Sequence, residues 1–278
     1  MSKLSDLHSR MHALRDIEGI LNAMKNLSLA EITKIARFTV TQQELLHSVE
    51  ETLADFQQFH GPPATAGEEG ARLYVLIGSE RGFCGGFNET IQSTLEDQPA
   101  TPTPPKLIVV GRKLALKFLD DKRVVASLDG PSVAEEIPAV ITELAKTLTQ
   151  FPALDWRIIH NKFAGEGTSV EVSSPFDFPK PEPGQRLEFP PLLNMPAPEL
   201  RPLLFEQYLF ALFYGIFYQS FMAENHERLR HMESALNKLR EEEERLRRQS
   251  NSLRQQTITE ELEIIMLSVE NELTPPNS

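Results

Sequence analysis

From Leu203 to Leu273 the chain runs 71 residues without a proline and with one glycine, Gly215. As a single α-helix this segment would be roughly 100 Å long, far more than a globular domain needs, so it must find a partner along its length. Its apolar residues say how. Leu229, Met232, Leu236, Leu239, Leu246 and Leu253 recur at steps of three and four, the seam of a left-handed coiled coil. Glu243 and Ser250 occupy seam positions and weaken it. Upstream, Phe210, Phe213, Phe217 and Phe221 form an aromatic face at the same spacing, a pattern more often core than ligand box.

The partner lies at the other end of the chain. Ser2 to His60 contains no proline and only Gly19. Leu4, Leu7, Met11, Leu14, Leu21, Ile32 and Ile35 form a gapped seam there, and Ile17, Ile20, Met24 and Leu27 a second stripe. This helix stops before Gly61-Pro62-Pro63. Two seams at opposite ends predict an antiparallel pair, with the middle of the chain inserted between them.

That middle alternates strands and helices. Short apolar runs at Leu73–Ile77, Lys106–Val110, Arg123–Ala126, Trp156–His160 and Ser169–Val172 read as strands. Helices are expected at Phe87–Leu95, Arg112–Leu119 and Val133–Gln150, although Pro138 interrupts the last. Such alternation predicts a Rossmann-like α/β layer with a mainly parallel sheet. The expected division is a coiled-coil helix over 1–60, the α/β domain over 70–180, a proline-rich connector over 181–202 and a second coiled-coil helix over 203–278.

Composition narrows the function. A net charge of −12 lacks the basic footprint of a nucleic-acid binder. No uninterrupted apolar stretch is long enough for a membrane span, and the first residues show no secretory or transit leader. One cysteine, Cys84, excludes an internal disulfide and fits a reducing compartment. His226-Glu227 lacks the second histidine of a metalloprotease helix, and no metal-ligand cluster is evident.

The loop Gly78-Ser79-Glu80-Arg81-Gly82-Phe83-Cys84-Gly85-Gly86-Phe87-Asn88 is the one segment with the look of a ligand site. A glycine-rich turn between strand and helix can cradle phosphate. This one lacks the lysine and spacing of a P-loop, and it is no GxGxxG fingerprint. The competing reading is structural: Gly82, Gly85 and Gly86 shape a tight turn around a small buried thiol at Cys84.

Four segments resemble one family. Glu80-Arg81-Gly82-Phe83-Cys84-Gly85-Gly86-Phe87-Asn88 is similar to the Asp-Arg-Gly-Leu-Cys-Gly-Gly-Leu-Asn signature of F-type ATP synthase gamma subunits. Arg254-Gln255-Gln256-Thr257-Ile258-Thr259-Glu260-Glu261-Leu262 resembles that family's ending, and Asn161-Lys162-Phe163 its strand-end Asn-Lys-Phe. Ile20-Leu21-Asn22-Ala23-Met24-Lys25 stands where the family shows Ile-Thr-x-Ala-Met-x. Two places depart from the pattern. Leu27 to Lys34 replaces a more basic run, and His8 stands where the family often has arginine. A divergent, sodium-type complex is the variant these departures suggest.

The resemblance implies a central-stalk rotor with no catalytic site, cofactor or metal of its own. It would couple ion flow in a membrane sector to ATP synthesis or hydrolysis in partner subunits. The implied partners are alpha- and beta-type head subunits, an epsilon-type subunit and the membrane rotor ring, with no nucleic acid. The implied place is peripheral, on the cytoplasmic face of a bacterial inner membrane. Arg254, Gln255 and Thr259 would face the catalytic subunits, with Met24 nearby on the first helix. The alternatives open at this point are a coiled-coil adaptor and a nucleotide-binding α/β protein unrelated to ATPases.

Overall fold

A computed structural model describes residues 2–61, 72–151, 155–165, 167–177 and 187–273. Two long helices, α1 (Ser2–His60) and α5 (Ala197–Leu273), flank five strands and three shorter helices. These are β1 (Arg72–Ile77), α2 (Phe87–Glu96), β2 (Lys106–Val110), α3 (Arg112–Ala115), β3 (Val124–Leu128), α4 (Ile137–Leu148), β4 (Asp155–Phe163) and β5 (Thr168–Ser173). Two compact units result: Met1–Asn26 with Met232–Ser278, and Leu27–His231.

In the larger unit the strands order as β3-β2-β1-β4-β5. The first four are mutually parallel, and β5 returns antiparallel to β4 across a hairpin. β1 lies in the middle and reads Leu-Tyr-Val-Leu-Ile because both of its faces are covered. The edge strand β3 alternates in burial, as one-sided strands do. On one face Leu73, Val75, Ile77, Ile108, Val110 and Ile158 pack against Ile137, Ile141 and Leu144 of α4. Ile35 of α1 and the aromatic face of α5 (Phe213, Phe217, Phe221) close the same core. On the other face Tyr74, Leu76, Leu107, Val109 and Ile159 meet Phe87, Ile91 and Leu95 of α2, with Leu114 and Phe118.

Two boundaries differ from expectation. α4 begins at Ile137, after a 3-10 turn at Ala134–Glu136, and Pro138 sits at its first turn, where no intrahelical N–H is needed. α5 begins at Ala197, ahead of Leu203, with Pro202 inside it. The carbonyl of Pro196 accepts from the N–H groups of Glu199 (3.0 Å) and Leu200 (3.1 Å), so the helix is already started when Pro202 costs it one bond. Of the connector expected over 181–202, residues 181–186 lie outside the described residues, and 187–196 carry neither helix nor strand.

The smaller unit is an antiparallel helix pair. Leu14, Leu21 and Met24 of α1 pack with Met232, Ala235, Leu236 and Leu239 of α5. Polar pairs fix the register: Lys25 with Glu233, Glu18 with Arg240, Arg15 with Glu243, and His8 with Ser250. In each pair the two residue numbers add to 258, so the register holds without a slip along the stretch they cover. On this count Ser2 stands level with residue 256, and among the described residues α5 runs on alone to Leu273.

Candidate functional site

The glycine loop leaves β1 at Gly78 and enters α2 at Phe87. Ser79 organises it. Its N–H donates to Asn88 Oδ1 (3.0 Å), while its hydroxyl accepts from Asn88 Nδ2 (2.8 Å) and from the Cys84 thiol (3.2 Å). Gly85 adopts φ +56, the left-handed region in which a side chain is strained, and Phe83 does so at φ +63 despite its Cβ. Gly86 has an ordinary φ of −81 with open space around it, and Gly82 also lacks a positive φ. Of Gly82, Gly85 and Gly86, only Gly85 is therefore demanded by its own backbone conformation. Cys84 is 5% exposed, and burial pushes its thiol up from the ordinary value, so it is a neutral packed group.

The carboxyl ends of the strands are where a doubly wound sheet takes a ligand. Here Glu80 already occupies them. Its Oε2 accepts from the backbone N–H groups of Arg112 and Gly130, each at 2.9 Å, and its Oε1 pairs with the Arg112 guanidinium at 2.8 Å. The anion over the start of α3 is thus the protein's own side chain. The ends of β1, β2 and β3 are stapled by one carboxylate. Gly111 makes this approach possible: at φ +103, an added Cβ would lie 2.6 Å from the Gly78 carbonyl oxygen. Among the described residues no three His, Cys, Asp or Glu groups are arranged to hold a metal ion.

α5 seals the loop from the other side. The Arg228 Nε donates to the Gly82 carbonyl at 3.2 Å. Arg228 and Glu224 pair with each other while almost wholly buried. Burial pushes the Glu224 carboxyl up, and the Arg228 charge opposes that shift. Asn161, fully buried at the end of β4, donates to the Phe87 carbonyl at 2.9 Å and so ties the start of α2 to the sheet. Phe163 stacks on His226 with ring centroids 3.7 Å apart. Apart from the Glu224–Arg228 pair, these contacts join residues distant in sequence, and short motifs carry no signal of them.

The four residues implied as coupling contacts do not converge. Arg254, Gln255 and Thr259 are exposed on one stretch of α5, where the Thr259 hydroxyl donates to the Gln255 carbonyl at 3.0 Å. Met24 is half-buried in the helix pair and, by the register, stands level with residue 234. That places it roughly 30 Å along the axis from Arg254. The expectation that Met24 lies near Arg254 is therefore corrected: antiparallel pairing sets their separation, and position 254 faces residue 4 instead.

A family model described as ATP synthase matches residues 3–270. The chain belongs to the ATP synthase gamma-chain family. Among curated relatives, the ATP synthase gamma chain of Bdellovibrio bacteriovorus is 26% identical over 94% of this chain and 96% of that one. The gamma chain of Mycoplasma capricolum is 23% identical over 98% and 99%. Among solved structures, a chain of the Euglena gracilis mitochondrial ATP synthase, from a structure of OSCP, F1 and c-ring, superposes with a TM-score of 0.71. It covers 98% of this chain and 95% of that one at 16% identity, a likeness of fold. The gamma chain is the central-stalk rotor of an F-type ATP synthase, and neither alternative reading, adaptor or independent nucleotide binder, is favoured.

Proposed function

We propose that this gamma chain transmits torque between a membrane rotor ring and a head of alpha- and beta-type subunits, with an epsilon-type subunit bound beside it, and that it catalyses nothing itself. The observation that carries this reading is the family match across 3–270, on a chain whose ends form one register-true antiparallel helix pair. Such a pair is asymmetric in its side chains. Each head subunit around it would meet a different contact set, so turning the shaft shifts their conformational populations. Among the described residues no helix is long and apolar enough to cross a membrane, which fits a peripheral place on the cytoplasmic face of a bacterial inner membrane. No cofactor and no nucleic acid enter the scheme.

In this reading the loop at Gly82, Cys84, Gly85 and Gly86 is structural. Glu80 supports it, because a bound phosphate would have to displace a carboxylate already bonded to two backbone N–H groups. Arg254, Gln255 and Thr259 supply exposed polar contacts near the end of the shaft, and Met24 a separate level of contact lower down.

Affinity-tagged chain purified from its own cells should bring down a stoichiometric ring of ATPase subunits whose hydrolysis drives ion pumping. Recovery of the chain free of any ATPase subunit would overturn the reading. Micromolar ATP binding by the chain alone would instead revive a nucleotide site.

A further inference from the structure

Five consecutive residues of α5, Glu224 to Arg228, are engaged side by side, and three of them, His226, Glu227 and Arg228, reach two different parts of the α/β layer. Arg228, paired with Glu224, holds the glycine loop at the Gly82 carbonyl. His226 stacks on Phe163 with planes 3° apart, and Glu227 accepts from the Thr168 hydroxyl at 2.8 Å, both at the β4–β5 hairpin. Asn225 braces the first set from within the helix, its Oδ1 accepting from Arg228 at 3.0 Å. Successive helix residues are turned by about 100°, so the span from His226 to Arg228 wraps roughly 200° of the circumference. Glu224, Asn225, Glu227 and Arg228 are each at most 7% exposed.

Apolar packing such as that of Phe213, Phe217 and Phe221 opposes rolling only through non-directional contact. Directional bonds on nearly opposite sides of one turn do resist it. We propose that Glu224–Arg228 is a keyed collar that locks α5 against rotation about its own axis within the α/β layer, and that torque passes between layer and shaft through it. This rests on the rotor reading above and adds the residues that carry the load. α5 continues as helix past the collar to Leu273.

The test uses the assembled complex, with the head immobilised and stalled and a bead attached through a cysteine placed at Lys122 of the α/β layer. Thermal fluctuation of the bead angle reads torsional stiffness. Arg228→Lys keeps a cation beside Glu224 but shortens the reach to Gly82. The double change Thr168→Val with His226→Ala loosens the hairpin side. The two grips act in parallel on one helix, so each variant is expected to widen the angular spread, with stiffness roughly halved. An Arg15→Gln change in the helix pair should leave the spread as it was. Spreads equal to the unaltered complex in both collar variants would overturn the proposal.

A second arm does not depend on weakened variants. A Thr168→Cys, Glu227→Cys crosslink locks α5 to the hairpin. A collar that is already rigid predicts unchanged ATP-driven rotation after oxidation. Rotation that stops on oxidation and resumes on reduction would show that α5 must roll within the layer, and would sink the proposal. If the unaltered complex hydrolyses ATP and the bead never turns, it is the rotor reading that fails.

Discussion

Arg15 and Glu243 meet across the helix pair, with Nε 3.1 Å from Oε1, at a seam position of α5 where the heptad pattern calls for an apolar residue. One heptad further on the same thing happens again: Ser250, 8% exposed, is met by the His8 ring at 3.5 Å. Both apparent faults in the α5 seam are thus answered by polar side chains from α1. Polar residues at seam positions commonly set register at a cost in stability, and here the register is the same at every polar pair.

That view predicts opposite effects on stability and register. The side chains of Arg15 and Glu243 are 64% and 25% exposed, so their ion pair contributes at most about 1 kcal/mol. Glu243→Leu buries a partly shielded methyl-rich side chain and should stabilise the chain by about 1 kcal/mol. Its urea midpoint should rise with an unchanged slope. Crosslinking of His8→Cys with Ser250→Cys should go nearly to completion in the parent. In the Glu243→Leu background, mispaired products should begin to appear.

The glycines of the α/β layer should rank by geometry rather than by their place in the motif. Gly111→Ala meets both a left-handed φ and the Gly78 backbone, and should cost at least about 3 kcal/mol. Gly85→Ala suffers the conformational cost alone, about 1–2 kcal/mol. Gly86→Ala, with an ordinary φ and open space, should cost under about 1 kcal/mol. Urea unfolding of the three variants checks the order, and an equal loss at Gly85 and Gly86 would contradict it.

This ranking also marks what the sequence discloses and what it withholds. The seams of α1 and α5, the five strands and the parallel sheet follow from period and composition, because burial imposes them locally. Gly111 sits outside the glycine-rich loop, and nothing near it in sequence announces that Gly78 will pass within contact. Glu80 looks like one residue of a phosphate-type loop until Arg112 and Gly130 are seen on its carboxylate. The collar at Glu224–Arg228 reads as part of an ordinary charged helix. In each case the deciding partner is tens of residues away or more, beyond the reach of periodicity. The start of α5 was hidden for the opposite reason: Pro202 is a local stop signal that a helix already nucleated at Ala197 overrides.

His160 gives the fold a pH dependence with a definite sign. It is 1% exposed on β4, and burial holds its pKa below the ordinary 6.5. As pH falls below that value the unfolded chain takes up the proton before the folded one does, so stability is lost on acidification and is level above it. Urea midpoints followed from pH 7.5 to pH 5 should decline, and less steeply in His160→Asn. The decline should not vanish, since His226 is shifted in the same direction by its partial burial. An unchanged slope in His160→Asn would show that His160 does not titrate across unfolding.

The coupling contact admits a clean test because its residues contribute so little to the fold. Arg254 and Gln255 are exposed on α5, and Arg254 forms no ion pair among the described residues. Replacing both by Ala should change stability by no more than about 0.5 kcal/mol, since alanine suits a helix and no packed group is removed. The Thr259 hydroxyl bonds to the Gln255 backbone carbonyl, which the substitution leaves in place. Assembly should therefore be intact, and any deficit must arise where these donors meet another subunit. The expected outcome is a lowered ratio of ion pumping to ATP hydrolysis, with subunit stoichiometry unchanged. Met24→Ala should act differently. Met24 is half-buried against Leu21 and Met232, about 30 Å away along the axis, so its loss weakens the helix pair itself and should lower the urea midpoint of the isolated chain. Pumping and hydrolysis measured side by side on complexes carrying each change separate the two effects. If the Arg254, Gln255 double variant matches the unaltered complex in both, these side chains are merely solvated and the coupling contact lies elsewhere on the shaft.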